Sequence, residues 1–181
     1  MNLRMSLVAV AILAAGLGAC TSASTTSQDG IGFRQARHAE LAAVRDWRAC
    51  RDDALTLDTQ ARAEEATARY LASARLLERC EAEIGSYTAG LPLDERMRAY
   101  ALAAQNHFKG GDVQAARQTL GSFMRNFSGH DLYFADGSSF IETMQLLLGL
   151  APRGHAGQFA EANVSAATRS ELRRVDYWAN H

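Results

Sequence analysis

The side chains that could do chemistry in this chain are few, and the densest group is Ser128, His130 and Asp131. A hydroxyl, an imidazole and a carboxylate are the three parts of an activated serine nucleophile, which works when they converge from separate segments on one reacting atom. Residues this close in sequence rarely do so, and neither a Gly-x-Ser-x-Gly elbow nor an oxyanion loop accompanies them. Loop capping is their ordinary role. His107 stands beside Phe108 in a helical stretch and reads as a packed or surface histidine, while His38, His155 and His181 have no metal spacing such as His-Glu-x-x-His. The three cysteines, Cys20, Cys50 and Cys80, form no Cys-x-x-Cys, and no histidine stands at ligand spacing from them. Phosphate-binding loops are absent, and Asp52-Asp53 and Glu64-Glu65 read as solvated helix faces. The expectation is a chain with no catalytic residue, no cofactor and no metal.

Composition narrows the fold and the partners. The formal charge is −1, from 19 basic and 20 acidic residues, without the basic face that a nucleic-acid partner requires. After Cys20 only four valines and three isoleucines remain, while alanine, leucine, arginine and glutamate abound. Sheets favour β-branched residues and helices the others, so the class is all-α.

The first 20 residues carry the clearest signal. Arg4 precedes an apolar run from Leu7 to Gly16, the length of a secretory h-region and too short to span a bilayer. The run leads to Leu17-Gly18-Ala19-Cys20, which resembles the lipobox of bacterial lipoproteins. That resemblance implies that residues 1–19 are a cleaved signal peptide and that Cys20 receives a diacylglycerol and an N-acyl chain such as palmitate. Two or more chains hold a protein stably on a membrane where one does not. Thr21, in place of the aspartate that retains lipoproteins in the inner membrane, points to the outer membrane, facing the periplasm. The 162 residues from Cys20 onward suffice for one domain with a core. Residues 20–33, rich in Ser, Thr and Gly, read as a lipidated flexible tether with a reach of roughly 20 Å, and residues 34–181 as a single helical domain.

Helical periodicity begins near Gln35. Phe33, Ala36, Ala43, Trp47, Cys50, Ala54 and Leu57 form one stripe, and Ala63, Ala66, Tyr70, Ala74, Leu77, Cys80, Ile84 and Tyr87 a second. No Gly or Pro marks the turn between them, which could fall at Asp58 or around 63–66. If the protein is exported, Cys50 and Cys80 are expected to pair. Bridged residues of an antiparallel helix pair lie equally far from its turn, and these two are symmetric about residue 65. A turn at Asp58 would offset them by about 20 Å along the axis, beyond the reach of a disulfide. The pairing therefore predicts the later turn.

Gly90 and Pro92 end this region, and a helix starts near Asp94. The stretch from Met97 to Phe127 resembles a tetratricopeptide (TPR) unit: Tyr100 at the first aromatic position, small Ala104 and Ala116 where two helices touch, and Gly111-Asp112 at the turn with Asp112 as N-cap. It departs from the pattern at Ala103, where leucine is usual, and at Ser128, where a proline closes the repeat. The resemblance implies helical hairpins in a short α-solenoid or irregular bundle. Ser128 to Gly137 is a loop carrying Leu132, Tyr133 and Phe134. Ser139 and Glu142 form a capping box for a helix from Phe140 to Leu148. A last helix starts at Asn163 or Ser165 and is expected to bury Val164, Leu172, Val175 and Trp178.

Two classes of function follow. One is a non-catalytic interaction module: a TPR-like surface on a lipid tether that docks another envelope protein, serving envelope assembly or maintenance, with a pilotin for secretion or pilus assembly as one variant. The other is an envelope hydrolase that uses the 128–139 loop.

Overall fold

The computed structural model describes residues 26–151 and 162–180. Cys20 with its lipobox, residues 21–25, His155 and His181 lie outside them. Among the described residues there are six α-helices and no strand: α1 (Thr26–Glu64), α2 (Thr67–Glu83), α3 (Leu93–Lys109), α4 (Val113–Asn126), α5 (Phe140–Leu147) and α6 (Ala166–Asn180), with a 3₁₀ turn at Tyr87–Gly90 before α3. The chain divides into two compact units, up to Ala42 and from Ala43. In the first, α1 begins at Thr26, inside the segment read from sequence as a tether. Extending an existing helix adds a hydrogen bond for each residue fixed, so a nucleus built on the residues after Gln35 can propagate back into a poor sequence. Phe33 and Leu41 are exposed there, and Arg37 pairs with Glu40 at 2.9 Å.

In the second unit, α1 and α2 form the expected hairpin. Cys50 and Cys80 are joined in a disulfide with their Cα atoms 5.8 Å apart. The turn falls at Glu64–Ala66, as the pairing requires, and Asp58 is a buried residue in mid-helix. Glu65 adopts φ +51°, the left-handed conformation usually left to glycine, and the Ala66 N–H donates back to the Ala61 carbonyl at 3.0 Å. This closes α1 with a Schellman-type bond on a residue that carries no sequence signal for it. The Ser73 hydroxyl donates to the Ala54 carbonyl (2.7 Å), and the Asn106 amide of α3 donates to Ser73 (3.1 Å), so one buried chain of hydrogen bonds ties three helices.

Side-chain pairs set the direction of each helix. Glu81 with Arg96 and Ser73 with Asn106 run α2 antiparallel to α3. Phe127 beneath Tyr100, with Ala104 and Ala116 in one core cluster, runs α3 antiparallel to α4. Phe123 on Phe140 (5.0 Å between ring centroids) and Arg117 bonding to the Leu148 carbonyl (2.6 and 3.0 Å) reverse the direction again for α5. That guanidinium caps the C-terminal end of α5, where a cation is favoured. Helices α1, α3 and α5 thus run one way and α2 and α4 the other.

Helix α3 is central because it is thin. Ala99 and Ala103 are buried in the cluster built on Trp47, Leu77, Cys80 and Ile84, while Met97, Ala101 and Ala104 enter the cluster built on Leu120, Phe123, Phe127 and Phe140. Alanine on both sides, Ala103 among them, lets neighbouring backbones approach from two directions. At the end of α3 the two glycines serve different needs. A Cβ on Gly110 would lie 2.5 Å from Leu71 Cδ2, whereas Gly111 has φ +83° and open space around it. Asp112 then caps α4, its carboxylate accepting from the Ala115 N–H at 2.9 Å.

The C-terminal segment departs from expectation in two ways. Only half of the capping box forms: Ser139 Oγ accepts from the Glu142 N–H (3.0 Å), but the Glu142 carboxylate accepts from the Asn163 N–H, and the Ser139 N–H donates to the Asn163 carbonyl (2.6 Å). And although Val164 is buried as expected, Leu172 is only half-buried, while Val175 and Trp178 are exposed.

Candidate functional site

The polar cluster singled out by sequence does not assemble a nucleophile. Ser128 and His130 are exposed. Asp131 is committed to the backbone: its carboxylate accepts from the Leu132 N–H (2.7 Å), the Ile141 N–H (3.2 Å) and the Ser139 hydroxyl. With the Phe140 N–H donating to the Leu132 carbonyl (2.8 Å) and the Phe134 N–H to the Ser138 carbonyl (2.9 Å), Asp131 locks residues 131–139 into a tight loop against the start of α5. What that loop presents is apolar. Tyr133 is 66% exposed and Phe134 is exposed beside it, packed on Phe140 at 6.4 Å.

These side chains form one wall of an open groove of about 730 Å³. The opposite wall is α1, through Arg51 and Leu55, and the floor is α3. Glu95, Arg98, Leu102 and Gln105 recur every three or four residues along α3, the stripe left between its two buried faces, and the edges of buried Ala99 and Ala101 complete the floor. Leucine and alanine make the middle apolar, while the end near the start of α3 is charged.

That end is built by residues distant in sequence. Arg48 forks onto the Glu95 carboxylate at 3.0 and 3.1 Å, and Arg51 reaches the same carboxylate from one turn further along α1. The hydrogen bond from Arg48 holds the Glu95 carboxyl below its usual range, aided by the Arg48 and Arg51 charges and opposed by partial burial. The Arg51 guanidinium also lies over the Trp47 ring, 5.4 Å from its centroid. Arg98 is left more open: among the described residues it pairs with Asp94, at 3.7 Å with both side chains exposed. The groove thus combines an apolar floor, an aromatic lip and an available guanidinium.

A second polar cluster lies between helices. Buried His107 places Nε2 3.2 Å from Glu78 Oε2, and the Thr119 hydroxyl bonds to the other carboxylate oxygen. Burial pushes the Glu78 carboxyl up, but hydrogen bonds from His107 and Thr119 and the nearby charges of His107 and Arg75 outweigh it, so it sits below its ordinary value. The hydroxyl faces the carboxylate and not the imidazole, and none of the three lines the groove. This is a cross-brace between α2, α3 and α4. Among the described residues no group of three or more His, Cys, Asp or Glu could hold a metal, and no helix is long and apolar enough to cross a membrane.

The loop's three apolar residues were the one sequence signal for the groove. The Arg48–Glu95–Arg51 network had none, because its partners stand 44 and 47 positions apart. Comparisons with described protein families, with curated proteins and with solved structures find no match to this chain.

Proposed function

We propose that this protein is a lipid-anchored lipoprotein of the cell envelope, in the outer membrane and facing the periplasm, that works as a non-catalytic docking module for another envelope protein in envelope assembly or maintenance. The groove between α1, α3 and the 131–139 loop carries this reading. Its three sides come from α1, from α3 and from the lead into α5, the co-directional helices, which is how the first helices of TPR hairpins would line a common face in a short solenoid. An apolar groove with a few fixed polar groups is suited to a segment that inserts side chains from one of its faces. The partner is expected to present aliphatic or aromatic anchors for Leu55, Leu102 and Tyr133, and a carboxylate for Arg98. Among the described residues that line the groove there is no serine, threonine, cysteine or histidine. The lipobox supplies the address and the groove supplies the work.

Two substitutions on the exposed rim test the docking role without touching the core. Tyr133→Asp with Arg98→Glu should leave folding and membrane attachment intact and fail to complement a deletion strain. Full complementation by that variant at normal abundance would remove the groove reading. Separately, Cys20→Ser should leave the precursor uncut or release the protein as a soluble form. Normal processing and membrane retention of that variant would remove the anchor.

A further inference from the structure

A smaller cavity, of about 250 Å³, lies between α1 and the end of α2, away from the groove. From its lining we infer a binding site for a small quaternary ammonium alcohol, of which choline is the simplest. The inference goes beyond the docking role and depends neither on the groove nor on Cys20. Asp46 and Cys50 stand one turn apart on α1, and Cys80, Glu83 and Tyr87 follow at three- and four-residue spacing along α2 and the 3₁₀ turn. The Cys50–Cys80 bond joins these two stripes and so sets the width of the cavity between them. Its walls are apolar or aromatic: the disulfide, Ile84 and the rings of Trp47 and Tyr87. The charged groups that line it are two carboxylates, Asp46 and Glu83.

Size, charge and wall chemistry select the ligand together. The cavity falls below the roughly 300 Å³ at which pockets for drug-sized molecules begin, so its occupant is small. Two carboxylates and no lining cation call for a positive charge. Among the described residues Asp46 has no ion pair, and Glu83 meets Arg79 at 3.8 Å with both side chains exposed. Arg51 lies over the Trp47 ring but does not line the cavity, and its guanidinium is held by Glu95 and Asp52. A metal ion would want a third ligand, and none of the described clusters supplies one. A primary ammonium carries three donors that aromatic walls cannot satisfy, whereas a quaternary ammonium sheds water readily and is held by ring faces. Trp47 adds a second, independent signal. It is 3% exposed, and its buried indole N–H has no hydrogen-bond partner among the described residues. That unused donor at the wall suits an oxygen placed close to the ammonium, as in an alcohol. A phosphate or carboxylate in its place would face Asp46 and Glu83 with like charge.

The chain has two tryptophans, so Trp178→Phe leaves Trp47 as the sole indole reporter in the full protein. Choline chloride is titrated against it at constant ionic strength, with sodium chloride as the control, and calorimetry of the parent protein supplies a reading that does not rely on fluorescence. Both should saturate with one Kd. Asp46→Asn with Glu83→Gln, at exposed positions, should raise that Kd by about tenfold or more without changing the far-ultraviolet dichroism, and Tyr87→Leu should raise it several-fold. Ethanolamine, phosphocholine and the uncharged isostere 3,3-dimethylbutanol should each bind several-fold more weakly than choline. No saturable signal in either reading overturns the proposal, as does a Kd that the double variant leaves unchanged. Equal binding of 3,3-dimethylbutanol overturns it in favour of a merely apolar cavity. Binding of ethanolamine or phosphocholine as tight as that of choline overturns the assignment to a free quaternary alcohol.

Discussion

Reducing the Cys50–Cys80 bond should cost this fold more than any single side chain in the hairpin that it closes. The bond spans 30 residues. On the chain-entropy relation, a loop of that length restricts the unfolded ensemble by about 3.6 kcal/mol at 25 °C. Towards its turn the folded hairpin has little to set against that loss, since Ala54, Ala61, Ser73 and Ala74 are the buried residues there and bury little apolar surface each, while Trp47 and Leu77 pack in the half that holds the disulfide. For a domain of this size 1 kcal/mol moves Tm by about 2–4 °C, so the full effect is roughly 7–14 °C. The assay is thermal and urea unfolding of the oxidised protein, of the same protein in reductant, and of Cys50→Ala/Cys80→Ala, with peptide mapping to assign the thiols. The reduced protein isolates the loop effect. The double variant adds a small packing loss at Cys80, which is buried in the first core cluster. A reduced protein that melts within about 2 °C of the oxidised one would show that the hairpin is held by packing and refute the reasoning.

Three further outcomes are expected. Ala104→Leu or Ala116→Leu, at fully buried contacts between α3 and α4, should destabilise by about 1–3 kcal/mol through overpacking; an unchanged urea midpoint would mean that the two backbones are not in close approach. Asp131→Ala should cost about 2–3 kcal/mol by leaving two backbone N–H groups and the Ser139 hydroxyl without their acceptor, whereas Ser128→Ala with His130→Ala should lie within about 0.5 kcal/mol of the parent; the reverse ranking would point to chemistry at the exposed pair. Glu78, held below the ordinary carboxyl range in the folded state, contributes stability that is complete above its unfolded pKa of about 4.3 and lost as pH falls through the lower folded value. Glu78→Gln should therefore be less stable than the parent at pH 7, by about 1–2 kcal/mol, and converge with it in acid; a gap that does not change with pH would place the brace's strength elsewhere.

What local chemistry determines, the residues displayed by themselves. The scarcity of β-branched residues implied helices. Asp112 and Ser139 marked two helix starts, because a cap is a hydrogen bond within three or four residues. The symmetry of Cys50 and Cys80 placed a turn that no glycine announces, since a covalent bond between two helices transmits the geometry of one to the other. Tertiary structure decided everything that depends on which face meets which. It put Arg48 and Arg51 on Glu95, fixed which N–H groups the loop-capping Asp131 holds and so which aromatic loop it anchors, and redirected Glu142 from its own helix to Asn163. It also left Val175 and Trp178 outside, although their spacing equals that of a buried stripe: periodicity reports that a helix has an apolar face, and only the packed chain determines whether anything in the same molecule covers it.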